Sequence, residues 1–180
     1  MHIGKTKPAA RGVSMIESLV AAAISSTLAA AAAGHFAQWR TQSGIEQVAS
    51  AFETDVQHAR SLALARNQAV RLSFEAAPDG ACWVIHTGAR GACVCQSGGA
   101  AQCTGNEQVF RVAHWPHKQP VRVESNVRSL SFDPAHGTAS PTGTVRITGS
   151  GSKSVHQVVN IMGRVRSCVP GGGLAGYKAC

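Results

Sequence analysis

Hydrophobic and polar positions divide the chain into three regimes. From Ser18 to Trp39 no Lys, Arg, Asp or Glu occurs, and Ala, Leu, Val and Ile dominate. A helix over that stretch rises about 33 Å, roughly the thickness of a bilayer core. From Ile45 to Arg66 apolar residues recur at Ile45, Val48, Phe52, Val56, Ala59 and Ala63, in steps of three and four. Glu46, Glu53, Asp55, Arg60 and Arg66 fall between them, which predicts an amphipathic helix with one buried and one solvated face. Asn67 is the predicted stop, and Gly34 and Gly44 are points where such a long helix could bend or melt.

Beyond Asn67 the period becomes two. Val70, Leu72 and Phe74 alternate with Arg71, Ser73 and Glu75, a half-buried strand. Pro78-Asp79-Gly80 predicts a turn and 82–87 a second strand, so 70–87 reads as a hairpin. Further strands are predicted at 108–115, 120–124, 127–132, 144–148, 154–161 and 164–168. Turn signals at Asp133-Pro134, Pro141-Thr142-Gly143 and Gly149-Ser150-Gly151 separate several of them. One long helix followed by short antiparallel strands is an α+β architecture. The predicted organisation is a polar leader at 1–12, an apolar helix at 13–40 and a head at 41–180. Within the head, 41–67 is the amphipathic helix and 68–180 the β-rich region.

Composition narrows the function. Apolar residues make up 44% and charged ones 14%, which excludes a disordered chain. Lys and Arg number 17 against 9 for Asp and Glu, a net charge of +8 that favours anionic partners. No GxGxxG, phosphate-loop, HExxH or GxSxG pattern occurs. After the helical region the acids are Glu75, Asp79, Glu107, Glu124 and Asp133, all beside predicted turns or at exposed strand positions. His114 and His117 flank Trp115-Pro116 without a third ligand nearby. Neither an enzyme nor a cofactor or metal is expected.

The N-terminus carries more. Lys5, Lys7 and Arg11 precede Gly12, no acid accompanies them, and Glu17 interrupts the start of the apolar run. The basic flank keeps the N-terminal side in the cytoplasm and sends the remainder across the inner membrane. A secretory signal has its cleavage site after the apolar stretch and no carboxylate at its start. The string Arg11-Gly12-Val13-Ser14-Met15-Ile16-Glu17 instead resembles the type IV prepilins. That resemblance implies cleavage after Gly12 by a prepilin peptidase and methyltransferase, and a new N-terminus at Val13, where Phe or Met is commoner. It also implies a role for Glu17 in pairing with the α-amino group of a neighbouring subunit. An ammonium beside a carboxylate relieves the cost of burying either alone.

Six cysteines suit an oxidising compartment. Cys93, Cys95 and Cys103 pin a Gly-rich loop at 88–106 and with Cys82 allow two local bridges, while Cys168 and Cys180 allow a third that closes the tail. Only this grouping is arguable from spacing, since six cysteines allow about fifteen pairings. A zinc site using the same cluster with His86 is the alternative, and Cys-x-Cys is a poor knuckle spacing.

The last third carries a second signal. From Pro134 to Cys180 the cations are Arg146, Lys153, Arg164, Arg166 and Lys178, with no acid among them. In an extended segment Arg164 and Arg166 share a face roughly 6.5–7 Å apart, close to the spacing of successive phosphates on a nucleic-acid strand. The layout resembles the FimT/GspH family of minor pilins and pseudopilins, and Gly163-Arg164-Val165-Arg166 resembles the Gly-Arg-x-Arg motif of its FimT branch. The resemblance implies binding of double-stranded DNA during natural transformation, through Gly163, Arg164 and Arg166 with Lys178, Arg146 and Lys153 in support. It implies a single-pass inner-membrane protein with a periplasmic head, later part of an extracellular pilus. Its partners would be the major and other minor pilins and the inner-membrane assembly platform. Two other roles fit the same layout. One is a GspH-like pseudopilin of a type II secretion system, the other a pilus-priming or adhesive minor pilin.

Overall fold

One helix, α1 (Met15–Arg66), carries both apolar patterns of the first third without interruption. The computed structural model describes residues 14–172, 174 and 176–180. The chain divides between Trp39 and Arg40 into two units. In the first, Met15, Ile16, Leu19, Val20, Ile24 and Leu28 are all exposed, on a helix long and apolar enough to cross a membrane. The hydroxyls of Ser26 and Thr27 donate to the carbonyls of Ala23 and Ile24 at 2.9 and 2.8 Å, so these polar groups are satisfied within the helix.

In the second unit the helix buries Ile45, Val48, Phe52, Val56, Ala59 and Ala63, the stripe that the three-and-four spacing predicts. Asn67 ends it in the left-handed conformation, φ 48°. Gln68 N–H donates to Ala63 O and Asn67 N–H to Leu64 O, the paired bonds of a Schellman cap. The helix runs through Gly44 without interruption. A Cβ there would come within 2.9 Å of Val121 Cγ2, so its place in α1 is one of close approach to a strand.

Among the described residues twelve strands follow, in two five-stranded sheets and one ribbon. The first sheet has the order β5 (Val109–Pro116), β2 (Gly80–Thr87), β1 (Val70–Ala77), β7 (Ser129–Phe132), β8 (Ala139–Ser140). The second has the order β12 (Lys178–Ala179), β11 (Val165–Val169), β10 (Ser154–Val159), β9 (Gly143–Gly149), β6 (Val121–Ser125). The ribbon pairs β3 (Cys93–Cys95) with β4 (Ala101–Cys103). The predicted hairpin 70–87 is β1 and β2, in register from Val70↔Thr87 to Ala77↔Gly80. All pairs are antiparallel except β11 with β12, which is parallel.

Both sheets turn alternate residues onto the helix. Leu72, Trp83, Ile85, Leu130 and Phe132 from the first and Val145, Ile147, Val155, Val159 and Val169 from the second join its stripe in one core. Phe52 meets the Trp83 ring edge-on, centroids 5.7 Å apart. Asp55 departs from expectation. It reads as a solvated position, yet it is 1% exposed, because Trp83 Nε1 donates to its Oδ2 at 2.8 Å and Arg111 Nε lies 2.6 Å from Oδ1. Its partners come from β2 and β5, distant in sequence, so helical spacing alone could not reveal them.

Candidate functional site

The register of the second sheet decides where the basic residues point. Residues directly opposite one another share a face. Glu124 pairs with Arg146, Arg146 with His156, His156 with Cys168, and Cys168 with Lys178. The adjacent row is Thr144, Val158 and Arg166. The intervening residues Val145, Ile147, Val155 and Val159 are buried on the helix side. The other face therefore presents Arg146, Arg166 and Lys178 to solvent, with Arg122 beside them on β6. Arg146 and Arg166 lie two strands and one register step apart, about 12 Å. Arg122 escapes a charge count that begins at Pro134, because β6 precedes that point and joins the sheet at its far edge. Glu124 is the acid on this face, opposite Arg146 but in no ion pair among the described residues.

Arg164 is set by the turn that joins β10 to β11. Asn160 N–H donates to Arg164 O and Arg164 N–H to Asn160 Oδ1, both at 3.0 Å, and Gly163 N–H donates to Asn160 O at 2.9 Å. Gly163 sits at φ +68°, and a Cβ there would stand 3.0 Å from Gly137 O and 3.1 Å from Arg60 Cδ. Arg60 Nε itself donates to Gly137 O at 3.0 Å, and Ala139 N–H donates to Ile161 O at 2.8 Å. The turn is thus clamped between helix and β8, and glycine is the residue that fits. Arg164 and Arg166 are both exposed. At the tip Ile161 and Met162 are 62% and 51% exposed.

The supporting cations differ in placement. The Cys168–Cys180 bridge encloses β12, whose Lys178 is exposed beside β11. Lys153 lies one residue before β10, and its carbonyl accepts from Gly149 N–H at 2.8 Å. Gly149 pairs with Val121, which is buried, so Lys153 stands in a row of the opposite parity. Arg146 Nε donates to His156 Nε2 at 3.3 Å, which requires a neutral ring. Burial and then the Arg146 charge push the His156 pKa down.

Glu17 occupies the first turn of α1. Its N–H donates to Ser14 Oγ at 3.3 Å, making Ser14-Met15-Ile16-Glu17 a capping sequence and placing the carboxylate at the positive end of the helix dipole. That local role is legible in the sequence as Ser-x-x-Glu. Gly12 and Val13 lie outside the described residues.

The cysteines pair as Cys82–Cys95, Cys93–Cys103 and Cys168–Cys180. The ribbon they hold covers the outer side of the first sheet, packing Cys93 and Cys95 on Ala77, Cys82 and Val84. Asp79 ties the loop down, accepting from Gly98 N–H at 2.9 Å and meeting His114 Nε2 at 3.0 Å. The Gly98 bond chiefly draws the Asp79 pKa below the usual carboxylate range. The zinc alternative fails chemically, since all four local thiols are oxidised in pairs. His86 is fully buried, with Nε2 2.8 Å from Ser73 Oγ and Nδ1 2.7 Å from Thr87 O. Ser73 is 1% exposed, so this serine–histidine pair is sealed rather than open to a substrate.

Comparison with known proteins adds the following. The family model described as type II transport protein GspH matches residues 48–163. Two crystal structures of the type IV minor pilin FimU of Pseudomonas aeruginosa (strain PAO1) share the fold. One has a TM-score of 0.54 at 18% identity, covering 72% of this chain and 95% of that one. The other has a TM-score of 0.50 at 19% identity, covering 71% and 98%. No curated protein matches the chain.

Proposed function

The chain belongs to the GspH family, and on that premise we propose that it is a type IV minor pilin whose head binds double-stranded DNA without sequence preference, serving DNA uptake. Arg164 and Arg166 contact phosphates, and Arg146 and Lys178 extend the track. Lys153, from a row of the opposite parity, adds only general field. The observation that carries the reading is the register that turns Arg122, Arg146, Arg166 and Lys178 onto one solvent face with a single acid. Guanidinium forks fit phosphate oxygens, and a sheet face with no groove-filling element reads charge rather than base edges. About four phosphate contacts give a salt slope of roughly −3.6, an affinity loss of about 150-fold between 50 and 200 mM salt.

Assembly follows from the N-terminal segment. The chain is cleaved after Gly12 by the prepilin peptidase, exposes Val13, and anchors in the inner membrane through α1 with its head in the periplasm. Glu17 pairs with the α-amino group of a neighbouring subunit as the protein enters a pilus, and the head performs no catalysis. One observation favours a second role. The exposed Ile161 and Met162 at the β10–β11 tip suit contact with another protein, as a pseudopilin or priming subunit requires.

The test is a mobility shift of the head, residues 40–180, on duplex DNA. Every buried apolar side chain among the described residues lies between Ile45 and Leu174, so this fragment keeps the whole core. Wild-type binding that disappears in folded Arg164→Ala, Arg166→Ala protein supports DNA uptake. Absence of wild-type binding at low salt transfers the role to subunit contact through the hydrophobic tip.

A further inference from the structure

A second basic site lies on the other sheet. Arg71, Arg90 and Arg128 line one cavity of about 420 Å³ with Val127, Ser129 and Pro141. Arg71 stands on β1, its Nη1 donating to Ser129 Oγ at 3.1 Å and its Nε to Gly88 O at 3.4 Å. Three of its five N–H groups make no hydrogen bond among the described residues. Ser129, at the start of β7, is 4% exposed, and its own hydroxyl proton has no acceptor among the described hydrogen bonds. Arg128 precedes it with a fixed backbone, its carbonyl accepting from Phe74 N–H at 2.8 Å. Arg90 enters from the loop after β2.

Among the described residues none of these three charges forms an ion pair with a carboxylate, and Glu107 stands nearby beside Gly88, whose carbonyl accepts from Arg71. The described ion pairs are Arg111–Asp55, His114–Asp79 and His136–Asp133, and none reaches the cavity. Burial, and then the charge of Arg90, draw the Arg71 pKa below the ordinary arginine value. Like charges gathered around a recess repel one another, and an anion seated among them reverses the sign of that interaction. Guanidinium groups supply paired donors matched to tetrahedral oxyanions.

We propose that the Arg71–Arg90–Arg128 cavity binds a tetrahedral oxyanion of the phosphate or sulfate class. Arg71 and the Ser129 hydroxyl form the fixed floor, and Arg90 and Arg128 close on the anion from the rim. The recess is larger than one oxyanion and admits an esterified phosphate as well as a free one. The site lies on β1 and β7 of the first sheet, apart from the Arg146–Arg166 face, and does not rest on the DNA reading.

The full chain in neutral-detergent micelles, prepared without phosphate, is titrated calorimetrically with inorganic phosphate at constant ionic strength. Arg90→Gln and Arg128→Gln are combined, because both side chains are exposed and outside the described ion pairs, and the melting temperature is expected to hold. Saturable phosphate uptake that weakens at least tenfold in this folded double variant is the expected result. No saturable uptake, or equal uptake by both proteins, overturns the proposal. A duplex arm then distinguishes the source of the phosphate. A salt slope for DNA that falls by about two in the double variant assigns the site to the nucleic-acid backbone. An unchanged slope, with phosphate uptake lost, assigns it to a free oxyanion. Failure of the wild type to bind DNA leaves the phosphate titration standing, so the two readings fail separately.

Discussion

Gly163→Ala isolates the part of the Gly-Arg-x-Arg motif that is architecture rather than charge. The position has φ +68°, which costs a residue with a Cβ about 1 kcal/mol or more. The new methyl would also stand 3.0 Å from Gly137 O, an atom already accepting from Arg60 Nε, and 3.1 Å from Arg60 Cδ. Neither neighbour is a free side-chain end, so relieving the contact disturbs the clamp and adds about 1 kcal/mol more. Gly171 supplies the control. Its φ is +71°, and a Cβ there meets nothing within 4 Å, so Gly171→Ala should show the conformational cost alone. We expect Gly163→Ala to lose about 2–3 kcal/mol and Gly171→Ala about 1 kcal/mol, each kcal/mol moving Tm by roughly 3–4 °C in a head of this size. Thermal unfolding of the oxidised head followed by circular dichroism reads both. Equal losses in the two variants, or a Gly163→Ala loss under 0.5 kcal/mol, would refute the clamped turn.

Asp55→Ala leaves Trp83 Nε1 buried without its acceptor and removes the Arg111 counter-charge, and should cost about 3 kcal/mol in urea unfolding. The head should also lose stability as pH falls through about 6.5 and below, because burial lowers the His86 pKa and the unfolded ring takes up a proton that the folded one refuses. That part of the pH slope should vanish in His86→Gln. Asp79 acts in a separate acid window, its depressed pKa giving stability that is lost below about pH 4. Replacing Cys168 and Cys180 together by Ser opens a loop of sequence separation 12, lowering stability by about 2–3 kcal/mol. The same variant should reduce the DNA salt slope by no more than about one contact, as Lys178 loses its restraint.

What the sequence discloses follows the range of each interaction. The stripe from Ile45 to Ala63 and the alternation at 70–75 are local periods; the structure keeps the first, while the second breaks at Ser73, which is buried against His86 of the neighbouring strand. The division of the strands into two sheets is a choice of partners far apart in the chain, with β1 beside β7 and β6 beside β9, and no local pattern encodes it. Strands as short as Ala139–Ser140 and Lys178–Ala179 exist only through pairing. The burial of Asp55 and the arrival of Arg122 beside Arg146 have the same origin. Gly163 was the legible part of the site, because one glycine before two spaced arginines states both a turn and a direction. Arg71, Arg90 and Arg128 carry no such spacing, and only the fold assembles them.

The central claim is that Arg164 and Arg166 neutralise phosphates on one sheet face. Its most direct measurement is the salt dependence of duplex binding by the head, read by fluorescence anisotropy for wild type and for Arg164→Ala, Arg166→Ala. The account predicts a wild-type slope of roughly −3.6 that falls by about 1.8 in the variant, with Tm unchanged. Identical slopes and affinities for the two proteins would contradict it.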